Sequence, residues 1–261
     1  MSGVIGGLVG RKLAERHQVR ALNRSKVEEV EWFDGDIADL EAIQPAFADI
    51  DTVINMATHM ATGGGSNSTA TEDVAAYMST NVLGGYNVYE AARQAGVKRV
   101  VYASAGASVF NYVTEEPYSS RAEARWADVH EDAPRLDHLA PFRPNGVYGA
   151  SKAWGEALGR YYSDVHGLSV LCVRVGHVPH PPETEFDLPA YQASIYCSHR
   201  DIVQFFELCV EAPDDLCFDT FFACSDNRGL FRDIEHPRKV LGYVPLDGIK
   251  DWPWKDPAGE S

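Results

Sequence analysis

Asp73–Ala95 followed by Arg99-Val100-Val101-Tyr102-Ala103 is the stretch on which the fold turns. The first part carries apolar residues at helical spacing and contains no proline, and the second is a short apolar run. A long helix feeding a buried strand is one half of a βαβ unit. The same alternation continues outwards. Upstream lie a helix candidate at Ile5–Arg16, strands at Val19–Leu22 and Val30–Phe33, a helix at Leu40–Phe47 and a strand at Thr52–Asn55. Downstream come a helix at Gly146–His166 and a strand at Val170–Arg174. This order predicts an α/β fold: a doubly wound parallel sheet covered by helices on both faces.

A chain of 261 residues suits one α/β domain or one domain with a small appendage. Residues 1–175 read as a dinucleotide-binding domain. Beyond Arg174 the pattern turns irregular and rich in proline (Pro179, Pro181, Pro182, Pro189), so residues 176–261 read as a C-terminal substrate lobe and tail interleaved with the first part. Residues 111–146 form a polar connection with a short helix near Arg121–Val129, and Ala57–Asp73, with three glycines at 63–65, reads as a mobile loop. The net charge of −15 argues against nucleic acid and anionic membrane as partners. No apolar run is long enough to span a bilayer. Five cysteines without a C-x-x-C pair, in a sequence with no signal-peptide pattern, read as reduced thiols in the cytoplasm, with Cys172 and Cys209 in the core. Without an export signal the Asn67-Ser68-Thr69 sequon carries no weight.

Tyr148-Gly149-Ala150-Ser151-Lys152 sets a phenol and an ammonium four residues apart, on one face of a helix. A cation beside a tyrosine favours the phenolate, which predicts a lowered Tyr148 pKa and a group able to exchange a proton with a substrate oxygen. The N-terminus, Ser2-Gly3-Val4-Ile5-Gly6-Gly7, resembles the back half of a glycine-rich turn entering a helix, with Gly3, Ile5 and Gly6 where a pyrophosphate would approach. Asn23 and Arg24 end the strand candidate that would lie beside an adenine ribose. An acid there would favour NAD, whereas Arg24 suits a 2′-phosphate, so the sequence leans to NADP over NAD. Asp36, followed by Ile37, reads either as an acceptor for the adenine amino group or as a helix N-cap ahead of Leu40. His177 and His180 flank Pro179, which spoils a helical metal pair; no metal is expected, and His177 reads as a substrate contact. Asp201 reads as the cap of a helix at Ile202–Glu211, and Trp252 and Trp254 as a packed tail.

Together these pieces resemble an extended short-chain dehydrogenase/reductase of the NAD-dependent epimerase/dehydratase family. The matching residues are Gly3-Val4-Ile5-Gly6, Asp36-Ile37, Asn55-Met56-Ala57, Asn81-Val82, Asn87-Val88, Glu90-Ala91-Ala92, Val100-Val101-Tyr102-Ala103-Ser104 and the Tyr148/Lys152 pair. Ser225-Asp226-Asn227-Arg228 and Val240–Pro245 are similar to the uronate-dehydrogenase-like subgroup. The resemblance implies a Rossmann-like fold and hydride transfer between NAD(P) and a secondary alcohol or ketone of a small, sugar-like molecule. It implies Tyr148 as acid/base, Lys152 on the nicotinamide ribose, and Asn55, Met56, Ala57 and Asn81 along the cofactor. It also implies a homodimer through the helices at Asp73–Ala95 and Gly146–His166.

Three departures stand out. The family's opening strand and first glycine are missing, which predicts an N-terminally shortened version of a longer protein and an apolar slot in the sheet. Ala105 stands where the family usually offers a serine or threonine, so Ser104 or Ser108 is expected to assist Tyr148, Ser108 also touching substrate. Where uronate dehydrogenases carry an arginine for the substrate carboxylate, this chain has Pro182-Glu183-Thr184-Glu185-Phe186, which favours a neutral substrate. A cofactor-sensing or scaffolding protein of the same fold, weak in catalysis, is the alternative.

Overall fold

The computed structural model describes residues 3–60, 71–130, 132–180 and 188–250. The glycines at 63–65, the Asn67 sequon, the 182–186 stretch and Trp252 and Trp254 lie outside the described residues.

Helices and strands alternate along the first two thirds: α1 (Val4–Leu13), β1 (Arg20–Leu22), β2 (Glu31–Phe33), α2 (Leu40–Ile43), β3 (Thr52–Asn55), α3 (Thr71–Ala76), α4 (Gly84–Ala95), β4 (Arg99–Ala105), α5 (Tyr118–Ala122), α6 (Val147–His166) and β5 (Ser169–Val175). The rest adds α7 (Ala190–Ser194), α8 (His199–Val210), β6 (Phe218–Ala223) and α9 (Glu235–Leu241). A π-helical turn, Tyr77–Leu83, joins α3 to α4.

The strands run parallel in two groups: β1 with β2, and β3-β4-β5-β6 in that order. This is the doubly wound order with no strand between β1 and β3 among the described residues. The consequence is visible in burial. Val100, Val101, Val170 and Leu171 on β4 and β5 are fully buried, whereas Thr52, Val53 and Ile54 on β3 are only partly so.

The central strands alternate between two cores, as a period of two requires. Val101, Leu171 and Val173 pack with Val9 and Leu13 of α1 and Ile202, Phe205 and Phe206 of α8. Val100, Tyr102, Val170 and Cys172 pack with Val88, Ala91 and Ala92 of α4 and Tyr162 of α6. Close approach of α6 depends on Gly155, where a Cβ would lie 2.2 Å from the Tyr102 hydroxyl. A third cluster joins Val109 and Leu136 to Phe222, Leu230, Phe231 and Ile234, and so ties the 111–146 connection to the last third of the chain.

Three details differ from the sequence expectation. The last third supplies a strand, β6, which continues the sheet beyond β5. The cap of α8 is Ser198, whose Oγ accepts from the Asp201 amide at 3.0 Å. Asp201 instead is fully buried and accepts from the amides of Leu246 and Asp247, tethering the C-terminal segment. The cap ahead of Leu40 is Asp39, accepting from the Ala42 amide at 3.1 Å, while Asp36 accepts from Ala38.

Candidate active site

Helix α6 opens after Gly146, whose backbone is fully extended, so Tyr148 stands in its first turn and Lys152 one turn on. Gly149 lets this turn close onto the loop after β4: a Cβ there would lie 2.4 Å from the Ala107 carbonyl oxygen. Lys152 is buried. Its Nζ donates to the Ala103 carbonyl at 2.8 Å and lies 5.2 Å from the ring centroid of Tyr102 and 5.8 Å from that of Tyr148. Burial pulls the ammonium down to about 8, against the opposing pull of the Glu156 carboxylate one turn further along.

The expected lowering of the Tyr148 pKa does not occur. Burial pushes the phenol up to about 12, Tyr77 adds to the rise, and a hydrogen bond with Thr58 opposes it. The physical reason is geometric: the Lys152 charge sits over the ring face, with its Nζ spent on a carbonyl, while a phenolate would lose its hydration.

Asn81, in the π-helical turn, connects the loop after β3 to α6. Its Oδ1 accepts from the His59 amide at 2.7 Å and from Thr58 Oγ1 at 3.2 Å. Its Nδ2 donates to the His59 carbonyl at 3.1 Å and to Ser151 Oγ at 3.0 Å. Ser151 in turn donates to the Tyr148 carbonyl at 2.7 Å. A π-turn displaces side chains from regular helical register and is frequent at functional sites. Sequence reasoning missed Thr58, His59, Tyr77 and Ser151. His59 pairs with Asp73 at 3.2 Å and meets the Tyr77 ring at 5.0 Å, and Tyr77 lies 6.2 Å from the Tyr148 ring.

Ser104 and Ser108 require a correction. Ser104 Oγ donates to Glu156 Oε1 at 2.5 Å; Ser108 Oγ donates to the Ala105 carbonyl at 3.0 Å and lies 3.4 Å from the same carboxylate. Both residues are buried, and each hydroxyl has one proton to give, so neither offers a free donor to a substrate here. Their carboxylate partner is locked to Arg174 at 2.8 Å, and Arg174 also donates to the His138 carbonyl at 3.1 Å. This pair, 4% and 3% exposed, accounts for Arg174 as part of the interior.

The proposed cofactor residues gather along the carboxyl edges of the parallel strands. Asn23 and Arg24 follow β1, Asp36 and Ile37 follow β2, and Met56 and Ala57 follow β3. Asn55 Oδ1 accepts from the Ala57 amide at 3.2 Å, which shapes that turn. Arg24 and Asp36 meet as an exposed ion pair at 3.6 Å, and Asn23 Nδ2 donates to the Ser25 carbonyl at 2.7 Å. Ile37 is buried, its carbonyl held by Asn87 at 2.8 Å, and Met56 packs at the margin of the α1 core. Gly3 is the N-cap residue of α1, with open space where a Cβ would be, and Ile5 and Gly6 form the first turn. Such a turn has unspent amides that suit a pyrophosphate.

His177 follows β5, where its amide donates to the Ile195 carbonyl at 2.8 Å. A different group, His138, Asp219 and His236, brings its ligating atoms within 4.8 Å of one another. The two imidazoles are stacked in nearly parallel planes 3.6 Å apart, so their in-plane lone pairs lie side by side instead of converging on one ion.

Residues 1–189 match the model of the NAD dependent epimerase/dehydratase family. The chain belongs to that family. This family member is 32% identical over 237 residues to the NAD-dependent glucose-6-phosphate dehydrogenase of Haloferax volcanii, covering 90% of this chain and 83% of that one. It is 31% identical to the L-arabinose 1-dehydrogenase (NAD(P)(+)) of the same organism, covering 94% of each chain. Among solved structures, a mutant uronate dehydrogenase from Agrobacterium tumefaciens complexed with NAD aligns over 95% of this chain and 82% of that chain, with a TM-score of 0.73 and 26% identity. The Rossmann-like fold expected from the sequence is thus the fold of this epimerase/dehydratase family member, and no helix among the described residues is long and apolar enough to cross a membrane.

Proposed function

We propose that this chain is an NAD(P)-dependent dehydrogenase, or an epimerase using the same step, acting on a secondary alcohol of a small sugar-like molecule. One observation carries this: the Tyr148 phenol and the buried Lys152 ammonium share one face of α6, anchored through Ala103 at the carboxyl end of β4. Ligands of open parallel sheets bind at such ends. Tyr148 takes the hydroxyl proton of the substrate, while Lys152 orients the cofactor ribose and stabilises the phenolate once both are in place. Bound nicotinamide would supply the hydride acceptor, and its positive ring would lower the Tyr148 pKa.

The α1 N-terminus would hold the pyrophosphate, with Asn23, Arg24 and Asp36 beside the adenosine and Asn55, Met56, Ala57 and Asn81 behind the nicotinamide half. Arg24 supports NADP, since its ion pair with Asp36 is exposed and loose enough to exchange for a phosphate. We take the segments of residues 176–261 outside α8 and β6 as the substrate lobe, with His177 facing substrate, and the cytoplasm as the working compartment. A homodimer is supported by Trp154, Tyr161 and Val165, exposed apolar residues on one stripe of α6, together with Tyr86 on α4.

Ser104, spent on Glu156, Ser108, spent on the Ala105 carbonyl, and a phenol held near 12 favour a second reading: a cofactor sensor with weak chemistry. Titrating the protein with NAD and NADP and then screening aldoses for cofactor reduction separates the two. Reduction with any aldose supports the dehydrogenase; binding without reduction on every aldose supports the sensor.

A further inference from the structure

Among the described residues three arginines are buried almost completely, and two of them are satisfied. Arg99 donates to Ser169 Oγ and to the carbonyls of Cys209, Val210, Ala212 and Pro213. Arg174 has Glu156 and the His138 carbonyl. Arg232 is different. It is 1% exposed, its Nη2 donates to the Tyr191 hydroxyl at 3.2 Å, and its Nε and Nη1 have no partner. No carboxylate among the described residues pairs with it. The guanidinium lies 5.6 Å and 5.5 Å from the ring centroids of Phe222 and Phe231, and the buried Cys224 thiol is also beside it, so its other neighbours are aromatic faces and a neutral sulfur. An ionised group left in such surroundings is costly unless an opposite charge comes to it.

The location gives that charge a source. The guanidinium rests against Gly106, directly after β4; a Cβ at Gly106 would lie 2.0 Å from Nη2 and 2.4 Å from Nη1. The next residue, Ala107, turns its carbonyl to Gly149, the neighbour of Tyr148. The backbone of Gly106 and Ala107 therefore touches Arg232 at the first residue and the helix turn bearing the phenol at the second. Phe222, beneath the guanidinium, is the register partner of Arg174 near the carboxyl end of β6. The unspent donors and the uncompensated charge thus lie at the edge of the sheet where substrate is expected.

We propose that Arg232 is the anion-recognition residue of the substrate site, receiving an oxyanion, phosphate or carboxylate, carried by the sugar-like substrate. This rests on the dehydrogenase reading above and reverses the neutral substrate expected from residues 182–186. Guanidinium and oxyanion form the strong, directional pairing that a dry pocket rewards most.

The test compares an aldohexose, its 6-phosphate and the matching hexuronate with wild type, Arg232→Met and Arg232→Lys, measuring kcat/KM and the Tm shift given by each sugar. Wild type is expected to favour one of the two acidic sugars over the neutral one, and which acid wins distinguishes phosphate from carboxylate. Arg232→Met is expected to lower the acidic-to-neutral ratio by about 10- to 100-fold through KM, with Arg232→Lys in between and NAD affinity unchanged. A purely structural role would lower both sugars together and leave the ratio where it was, which would overturn the proposal. So would a wild-type preference for the neutral sugar, a result that needs no variant to fold and leaves the dehydrogenase reading standing. If wild type oxidises none of the three, the wider aldose screen decides the dehydrogenase reading and the Tm shifts decide the anion site: an acid-specific shift lost in Arg232→Met supports it, and equal shifts in both refute it.

Discussion

The Lys152 ammonium lies over the face of the Tyr148 ring, 5.8 Å from its centroid, with Nζ bonded to the Ala103 carbonyl. It therefore cannot by itself hold the phenol ionised. Without cofactor, Tyr148 is expected to titrate at about 12. Adding NAD+ brings a positive ring to the site and should move that titration downwards. Difference absorbance of tyrosinate, with Tyr148→Phe as reference, measures both values; a value below 10 without cofactor would contradict the geometry.

Lys152 also makes a prediction for stability. Its folded value, about 8, is below its ordinary 10.5, so the unfolded chain binds the extra proton between these limits. Burying the charge costs stability below pH 8, and that cost disappears as pH rises towards 10.5. Wild type should therefore gain stability relative to Lys152→Met across this window. Urea unfolding of the two at several pH values checks the sign.

Glu156 and Arg174 form an interior pair, so removing either partner strands a buried charge. Glu156→Gln and Arg174→Met should each cost about 3–5 kcal/mol, and the double variant less than their sum. Chemical denaturation of the four proteins closes this cycle.

Asn81 bonds to Thr58, His59 and Ser151, so Asn81→Ala leaves buried groups unsatisfied on both the loop and α6. A loss of about 1–3 kcal/mol is expected, with weaker cofactor binding. Calorimetry and NAD titration of the variant test the two effects together.

Among the described residues β1 pairs with β2 alone and β3 with β4 alone, and Val53 and Ile54 of β3 are only partly buried.

Most of the framework was legible because burial on both faces of a parallel sheet leaves continuous apolar runs, and Val100-Val101-Tyr102 and Val170-Leu171-Cys172 are such runs. β6 escaped because Asp219 and Thr220 interrupt it; Asp219 is polar there to bind His236 at 2.8 Å. Ser198 and Asp201 both look like caps, and only the fold reveals that Asp201 is needed by Leu246 and Asp247. In the site, the Tyr148/Lys152 spacing was visible within one helix. The partner of Ser104 was not, because Glu156 is 52 residues away along the chain, and the turn that brings Ser108 to the Ala105 carbonyl appears only in the fold. Arg232 had no signal in sequence at all: what sets it apart is a buried Nε and Nη1 without hydrogen-bond acceptors, which is a property of packing.

The central claim is that Tyr148 exchanges the substrate proton beside a bound dinucleotide. The most direct test is nicotinamide reduction, followed by absorbance, in wild type and Tyr148→Phe with the best aldose substrate. Loss of about 10²- to 10⁴-fold in kcat with an unchanged NAD(P) dissociation constant is the predicted result; turnover retained in Tyr148→Phe would contradict it.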